Sequence, residues 1–253
     1  MTIDISHLVV IGCSFGYGQG LESPKTQAWP ALVANRLGVP VVNLSGKGAG
    51  NDKIMRRLFE YHHLNLKHNN NPFYIISFSH SSRREEYMNH REDYTVVDMH
   101  PSAADQYYDP FSRPCLLNYN QEVMTRRKLM IQTYILSFLK HNNLNYLTTD
   151  YIPDSLLDLE LYAKSMFPEA YEYVYNDQYR MIDFSTFSRK HKPLPCGHDG
   201  LEAQAEIADY IIPKFLELHG EVNVVDKPYA TLTDYANHYP LSGILKGIES
   251  DWF

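Results

Sequence analysis

The sequence predicts an α/β fold in which helices cover both faces of a mostly parallel sheet. Short apolar runs alternate with longer segments of helical periodicity along the chain. The run at residues 73–78 is almost continuously apolar, which is typical of a parallel strand that is covered on both faces. Strands that alternate with helices favour right-handed crossovers, so we expect a doubly wound sheet.

The bounds of the predicted strands and helices follow from apolar runs and from the Gly, Pro and Asn residues that start or end them. We expect strands at residues 7–11, 39–44, 73–78 and 145–149. We expect helices at residues 29–37, 51–67, 121–141, 154–166 and 201–218. Pro30 is tolerated in the first turn of the first of these helices, and Gly38 ends it. Asn51 or Asp52 can cap the second helix.

The chain is expected to form one domain over residues 1–220. Its 253 residues, of which 44% are hydrophobic, suit one α/β domain with a modest insertion. Residues 88–120 are rich in Pro, Asp and Tyr without a clear period, which predicts an irregular insertion over the active-site edge of the sheet. We expect residues 221–253 to form a tail that packs on the domain or on a neighbouring subunit of a homo-oligomer.

Composition and charge narrow the function classes. A net charge of −7 and a pI of about 5.9 argue against nonspecific nucleic-acid binding. The pair Arg56 and Arg57 is expected on a solvated helix face or in ion pairs. Three cysteines do not make a disulfide framework. No run approaches 18 apolar residues and no signal-peptide pattern is visible, so we expect no membrane span and a cytoplasmic location.

The stretch V-V-I-G-C-S-F-G-Y-G-Q-G-L at residues 9–21 carries the candidate nucleophile. Gly12 breaks an apolar strand and Ser14 follows, at the sheet edge where α/β folds place their chemistry. A plain turn is an alternative, since Gly and Ser often form turns. A phosphate loop fits poorly, because G-x-G-x-G is neither the dinucleotide nor the P-loop pattern. A G-x-S-x-G elbow is also disfavoured, because we expect a loop rather than a helix after the serine.

A second stretch, G-H-D-G-L-E-A-Q-A-E-I-A-D-Y-I at residues 197–211, places His198 directly before a helix. Leu201, Ala205, Ala208 and Ile211 have the spacing of one apolar helix face. A lone histidine at such a position is more often structural or exposed than catalytic. It can meet a serine at the tip of the first strand only through the fold.

Together these stretches resemble the SGNH, or GDSL-like, hydrolase family. G-C-S-F-G-Y-G at residues 12–18 is similar to the first family block, and H-D-G-L-E-A-Q-A-E-I-A at residues 198–208 is similar to the last. N-L-S-G-K-G-A-G at residues 43–50 is similar to the second block, with Gly48 at the family's glycine. The resemblance implies a three-layer flavodoxin-like sandwich with a central, mostly parallel sheet.

Three positions depart from the family pattern. Cys13 stands where the family has Asp in the first block. The third block, S-F-S-H-S-S-R-R-E, has no Asn, and His80 or Ser81 takes its place. Pro195 stands where the family has its catalytic acid, and Asp199 lies instead just after the histidine. The fold is expected to survive these changes better than the activity.

The resemblance implies a serine esterase that hydrolyses a small acyl ester, such as an O-acetyl group on a carbohydrate. Ser14 would attack the carbonyl and His198 would carry the proton, as a dyad or an incomplete triad. Asp199 is the candidate third member, although consecutive side chains diverge in an extended backbone, which favours the dyad. The N–H groups of Ser14 and Gly48, with a donor from Ser81, would hold the oxyanion.

The substrate-lining candidates are Phe15, His80, Arg83 and Arg84. The two arginines are explained equally well by an ion-paired loop, and the aromatic residues 171–179 either line a sugar cleft or simply pack under a loop. No cofactor is expected. Two other function classes stay open. The fold can be a catalytically silent binding or structural protein, or Cys13, Cys196 and His198 can form a zinc site, since thiolate and imidazole suit that metal.

Overall fold

A computed structural model describes residues 2–65, 71–88, 93–98, 120–150, 164–166, 168–175, 182–183, 187 and 190–224. Its central sheet contains, in spatial order, the parallel strands β3 (Val41–Asn43), β2 (His7–Ile11), β4 (Pro72–Phe78), β7 (Asn145–Asp150) and β8 (Ile182–Asp183). Two further pairs are parallel β1 (Thr2–Ile5) with β9 (Glu221–Val224) and antiparallel β5 (Arg83–Met88) with β6 (Asp93–Asp98). The helices are α1 (Ser14–Tyr17), α2 (Pro24–Gln27), α3 (Trp29–Leu37), α4 (Asn51–Asn65), α5 (Gln121–His141), α6 (Pro168–Tyr175) and α7 (Leu201–His219).

Helices cover both faces of this sheet, which confirms the predicted three-layer sandwich. Successive side chains of a strand point to opposite faces. In β2, Val9 and Ile11 therefore pack in a cluster with α4, α5 and α6, while Leu8 and Val10 pack in a second cluster with α3 and α7. Every residue of β2 is buried, as expected for a strand with helices on both sides.

Local sequence signals located several elements correctly. Strand β2 and helices α3 and α5 have the predicted bounds. Gly38 ends α3 with a left-handed φ of 68°, a conformation that suits glycine. At the start of α5, the Asn120 side chain accepts a hydrogen bond from the Val123 N–H at 3.2 Å.

Other elements differ from the predictions. The predicted loop at residues 12–27 contains the one-turn helices α1 and α2. Residues 93–98, predicted as irregular, form β6 and pair with β5. Strand β1 was not predicted, because its alternating T-I-D-I pattern is only four residues long and its partner β9 lies at the far end of the described chain. The partner of each of these strands comes from tertiary structure, which a local pattern does not record.

Several predictions fall outside the described residues. They are most of the predicted helix at residues 154–166, the insertion at residues 99–119 and the tail at residues 225–253. Of the aromatic stretch at residues 171–179, Tyr171 and Val174 lie in α6 and belong to the core beside α5, so packing accounts for them. Within the described ranges, no helix is both long enough and apolar enough to cross a bilayer.

Candidate active site

Ser14 lies at a sharp turn between β2 and α1. Cys13 is extended and precedes the helix, which begins at Ser14 and ends at Gly18 with a left-handed φ of 82°. A Cβ at Gly12 would lie 2.9 Å from the Cβ of Ser77, so the close approach of β2 and β4 at this point requires glycine. G-C-S-F-G has the G-x-S-x-G spacing and a helix follows the serine directly. Our expectation of a loop after the serine was therefore wrong.

The loop after β3 is fastened to this turn. The Asn43 side chain donates a hydrogen bond to the Gly16 carbonyl at 2.8 Å, and the Gly46 N–H donates to the Gly12 carbonyl at 3.1 Å. Gly48, two residues further on, has a left-handed φ of 66°. Since that conformation is costly for other residues, glycine at this position lets the backbone turn sharply.

A buried arginine supports the same loop from below. Arg57 of α4 is only 3% exposed, and its guanidinium donates to the Leu44 carbonyl. A Cβ at Gly46 would lie 2.7 Å from Nη1 of Arg57, so the loop rests directly on this side chain. Of the two alternatives expected for the pair, a solvated helix face or ion pairs, the solvated face is wrong for Arg57. Arg56, in contrast, forms the expected ion pairs, with Glu60 at 2.9 Å and Glu85 at 2.7 Å.

The third segment, at the end of β4, is joined to the start of α4 by a reciprocal pair of hydrogen bonds. The Asn51 side chain donates to the Ser79 carbonyl at 2.9 Å and accepts from the Ser79 N–H at 2.8 Å. The next residue, His80, accepts a hydrogen bond on Nδ1 from the Ser82 N–H at 3.1 Å. Neutral His80 therefore carries its proton on Nε2. Ser81 lies between them and is buried.

His198 lies beside the turn that carries Ser14. The ring centroids of His198 and Phe15 are 4.9 Å apart. Nδ1 of His198 lies 3.2 Å from the Cys196 carbonyl oxygen, which can only accept, so Nδ1 carries the proton and Nε2 keeps its lone pair. No hydrogen bond joins Ser14 to His198 in the described structure. The ring of Phe15 makes the contact between the two segments.

The surroundings of His198 keep the imidazole neutral near pH 7. Burial lowers the pKa of His198, and the positive charge of Arg83 lowers this pKa further, while the hydrogen bond to the Cys196 carbonyl opposes both effects. Arg83 begins β5 and donates to the Ser79 hydroxyl at 3.4 Å. Arg84 follows it, half-buried. A neutral imidazole with a free Nε2 is the protonation state that a general base requires.

Asp199 has a different environment from the histidine before it. It is 3% exposed, and burial raises the pKa of its carboxyl from an ordinary value of 3.8 to about 7. The hydrogen bond that the structure shows for the His198 ring goes to the Cys196 carbonyl. Asp199 therefore lies near the predicted site without orienting the imidazole through a hydrogen bond.

Gln204 is a second residue that the sequence analysis missed. Its side chain is buried and accepts a hydrogen bond from the Trp29 N–H at 2.7 Å, while its Nε2 donates to the Phe15 carbonyl at 3.4 Å. Gln204 thus connects α7 to the starts of both α3 and α1. Its position four residues before Ala208, on the apolar face of α7, is the sequence signal that could have identified it.

The alternative of a metal site finds no support in the described part of the chain. Among those residues, no group of three or more His, Cys, Asp or Glu side chains is arranged to hold a metal ion. Cys13 is buried and Cys196 is exposed, and both are free thiols. The sulfur of Cys196 instead packs against the backbone of Gly20, where a Cβ would lie 2.5 Å from it.

Comparison with known structures identifies the fold. The psychrotrophic esterase EstA from Pseudoalteromonas sp. is similar with a TM-score of 0.52 and 13% identity, over 84% of this chain and 98% of that one. The acetyl xylan esterase Est2A from the rumen bacterium Butyrivibrio proteoclasticus has a TM-score of 0.51 and 12% identity, over 85% of this chain and 65% of that one. At such identities the likeness shows the fold alone, a flavodoxin-like sandwich of the SGNH-hydrolase type.

Comparison of the sequence itself gives a family without a known activity. No curated protein matches the chain. Residues 18–180, more than half of the chain, match a protein family described as "Family of unknown function (DUF6071)". That match begins after Ser14 and ends before His198, so it covers neither. The chain belongs to the family of unknown function DUF6071.

Proposed function

We propose that this protein is a serine ester hydrolase of the SGNH type, with Ser14 as nucleophile and His198 as general base. The observation that carries the proposal is the contact between the rings of Phe15 and His198. It joins the segment before the last helix to the residue that follows Ser14, although 183 residues separate the two rings in sequence. Serine at a strand tip with an adjacent histidine is the arrangement that acyl transfer needs.

The chemistry follows from the protonation state of the imidazole. Nε2 of His198 takes the proton from the Ser14 hydroxyl while the Ser14 oxygen bonds to the acyl carbon of the ester. The resulting imidazolium then gives this proton to the leaving alcohol as the carbon–oxygen bond breaks. Water repeats both steps on the acyl-enzyme, which releases the carboxylic acid and restores the serine.

The oxyanion of each tetrahedral intermediate would be held by backbone donors. Ser14 is the first residue of α1, so its N–H has no partner within the helix. Gly48, in a loop that is hydrogen-bonded to the same turn, supplies the second donor, and Ser81 or His80 supplies a third. Removing one such donor typically costs about 10²–10³ in rate.

The Cys196 carbonyl takes the place of a catalytic carboxylate in this proposal. It fixes the tautomer of His198 but, being uncharged, stabilises the imidazolium less than a carboxylate does. We therefore infer a Ser14–His198 dyad and a slower enzyme than one with a complete triad. The substrate would be a small acyl ester, and the fold shared with an acetyl xylan esterase suggests an O-acetyl carbohydrate by analogy.

A fluorophosphonate probe followed by peptide mapping tests the proposal. We expect labelling on Ser14, no labelling of Ser14→Ala, and strongly slowed labelling of His198→Ala. Ser137→Ala, which changes an exposed serine of α5, is the matched control and should label like the parent. Labelling of another serine, or none between about pH 6 and 9 where a histidine base is neutral, contradicts the proposal.

A catalytically silent binding protein is the second candidate function. It is favoured by the 2% exposure of Ser14 and by Pro195 at the position of the family's acid. Under this alternative the Ser14→Ala protein and the parent bind an acyl ester equally, and neither the parent nor any variant releases the alcohol. Release of alcohol by the parent but not by Ser14→Ala excludes it.

A further inference from the structure

A cleft with a volume of about 560 Å³ lies beside the candidate active site. Tyr17 of α1, on the same helical turn as Ser14, forms part of its wall, and Lys47, which directly precedes Gly48, forms another part. Gly20 also lines the cleft and packs against the sulfur of Cys196, whose carbonyl binds His198. The segments that carry the proposed nucleophile and the proposed oxyanion donor therefore border this cleft, and Gly20 connects the cleft to the segment that carries the proposed base.

The charges of the cleft contrast with those of the whole chain. Lys25 and Lys47 line it together with a single acidic residue, Glu22, so the lining carries one net positive charge. The chain as a whole has a net charge of −7. Nζ of Lys47 lies 4.9 Å from the centroid of the Tyr17 ring, which holds this ammonium at the wall of the cleft.

We propose that this cleft binds a carboxylate of the substrate, so that the ester hydrolysed belongs to an acidic molecule. The inference rests on the proposed function, since it makes the cleft the part of the active site that holds the substrate. One net positive charge matches a singly charged carboxylate better than a phosphate dianion. Two separate ammonium groups, rather than a guanidinium fork, also suit a point contact with one anion.

The polar side chains of the cleft fit a substrate that carries hydroxyl groups in addition to the carboxylate. Ser23 and Thr26 border the cleft, and the Thr26 hydroxyl donates to the Ser23 carbonyl at 3.2 Å, which leaves its oxygen to accept from a ligand. The carboxylate can lie on the alcohol side of the ester, as in an O-acetylated uronic acid, or on the acyl side, as in a half-ester of a dicarboxylic acid. Both sources share the same recognition by Lys25 and Lys47.

Calorimetric binding to the Ser14→Ala protein tests the inference without turnover. The alcohol-side pair is an O-acetylated methyl glucuronoside against the O-acetylated methyl glucoside, and the acyl-side pair is an aryl hemisuccinate against the aryl butyrate. We expect the acidic member of one pair to bind about 10-fold tighter than its neutral partner, which corresponds to about 1.4 kcal/mol. The pair that shows the preference identifies the side that carries the charge.

The double substitution Lys25→Met and Lys47→Met should remove this preference, so that the acidic and neutral members of each pair bind equally. Lys214→Met, which changes a lysine of α7 that pairs with Glu217 at 2.8 Å, is the matched control and should keep the preference. Equal binding of acidic and neutral ligands in both pairs overturns the inference, as does a preference that survives the double substitution. The binding assay uses Ser14→Ala and needs no turnover, so its result does not depend on the proposed function. A carboxylate preference in this assay, together with no phosphonate labelling of the parent, would contradict the proposed function and support carboxylate binding in the cleft.

Discussion

Burial gives the Asp199 carboxyl an unusual dependence on pH. Its pKa is raised from 3.8 to about 7, so the folded protein binds this proton more tightly than the unfolded chain does. The resulting stabilisation is complete below about pH 4 and is lost as the pH rises through about 7. We therefore compare the free energy of unfolding of Asp199→Asn with that of the parent at two pH values. The difference, variant minus parent, should be larger at pH 8 than at pH 5 by on the order of 1 kcal/mol.

Urea unfolding at the two pH values measures this difference. A stability difference that is the same at pH 5 and pH 8 would contradict a raised pKa. The same variant also tests the dyad. Asp199→Asn should keep most of the hydrolysis of a short-chain aryl ester, while His198→Ala should lose it. An equal loss in both folded variants would make Asp199 the third member of a triad.

Arg83 should contribute to the position of the acid limb of the pH–rate profile. Burial and, to a smaller extent, the positive charge of Arg83 lower the pKa of His198, so kcat/KM should stay constant to pH values below the ordinary histidine pKa. In Arg83→Met the acid limb should move to higher pH, because the imidazolium is no longer repelled. Arg36→Met, in an ion pair with Asp209 on α7, serves as the control and should leave the limb in place. An unmoved limb in Arg83→Met would show that this charge does not reach the base.

The site residues that could be predicted from the sequence are those at sharp backbone turns, where the turn restricts which residue fits. Ser14 and Gly48 could be selected because glycines mark the turns that carry them and because these turns resemble family blocks. Arg57 and Gln204 were missed, since a polar side chain in a helix is usually solvated. Both lie on the buried face of their helix, Arg57 three residues after Ile54, so helix register alone could have pointed to them.

At the scale of elements, α4 supports the loop that follows β3. Arg57→Met should leave the Leu44 carbonyl without its buried donor, at a cost of about 1–3 kcal/mol in the free energy of unfolding. It should also lower kcat, because the Gly48 N–H loses its support. Arg57→Lys should recover part of the stability through a single ammonium donor, and less of kcat, because lysine has no planar fork to fill the space under Gly46.

Arg56→Met is the matched control for this experiment. It removes ion pairs with Glu60 and Glu85 on the outer side of the same helix, so kcat should stay near that of the parent. Chemical unfolding and esterase kinetics are the measurements. If Arg57→Met has the kcat of the parent, the loop holds its shape without the guanidinium.

Elements with strong local signals were predictable, and strands that are defined only by their pairing with another strand were not. Helix α5 has a capping Asn120 and ends where the sequence N-N follows, so its bounds could be predicted. The hairpin of β5 and β6 begins with a run of charged residues, R-R-E-E, that resembles a solvated loop. Only the register, with Arg83 opposite Asp98, makes this run a strand.

For the molecule as a whole, two clusters of apolar residues share one sheet. Ile135 belongs to the cluster under α4, α5 and α6, and Ile211 belongs to the cluster under α3 and α7. Replacing either residue with alanine should cost about 2–5 kcal/mol, since both are fully buried. Because β2 and β4 contribute to both clusters, each variant should still unfold in one transition.

Circular dichroism at far-ultraviolet and near-ultraviolet wavelengths, recorded in the same thermal scan, checks this expectation. Coincident midpoints for the parent and both variants are the expected result. Separate midpoints in Ile135→Ala would mean that the layer of α4 and α5 melts while the opposite layer remains folded.

The pairing of β1 with β9 has a consequence for how the chain reaches its fold during synthesis. The contact between Asp4 and Asn223 spans 219 residues, and α7, which covers the Leu8 and Ile75 side of the sheet, also comes from the last part of the described chain. A ribosome must therefore release more than 220 residues before β1 can pair with β9. Until then α3 alone covers this side of the nascent sheet and part of its apolar surface faces solvent, so this chain should fold late and depend on chaperones during synthesis.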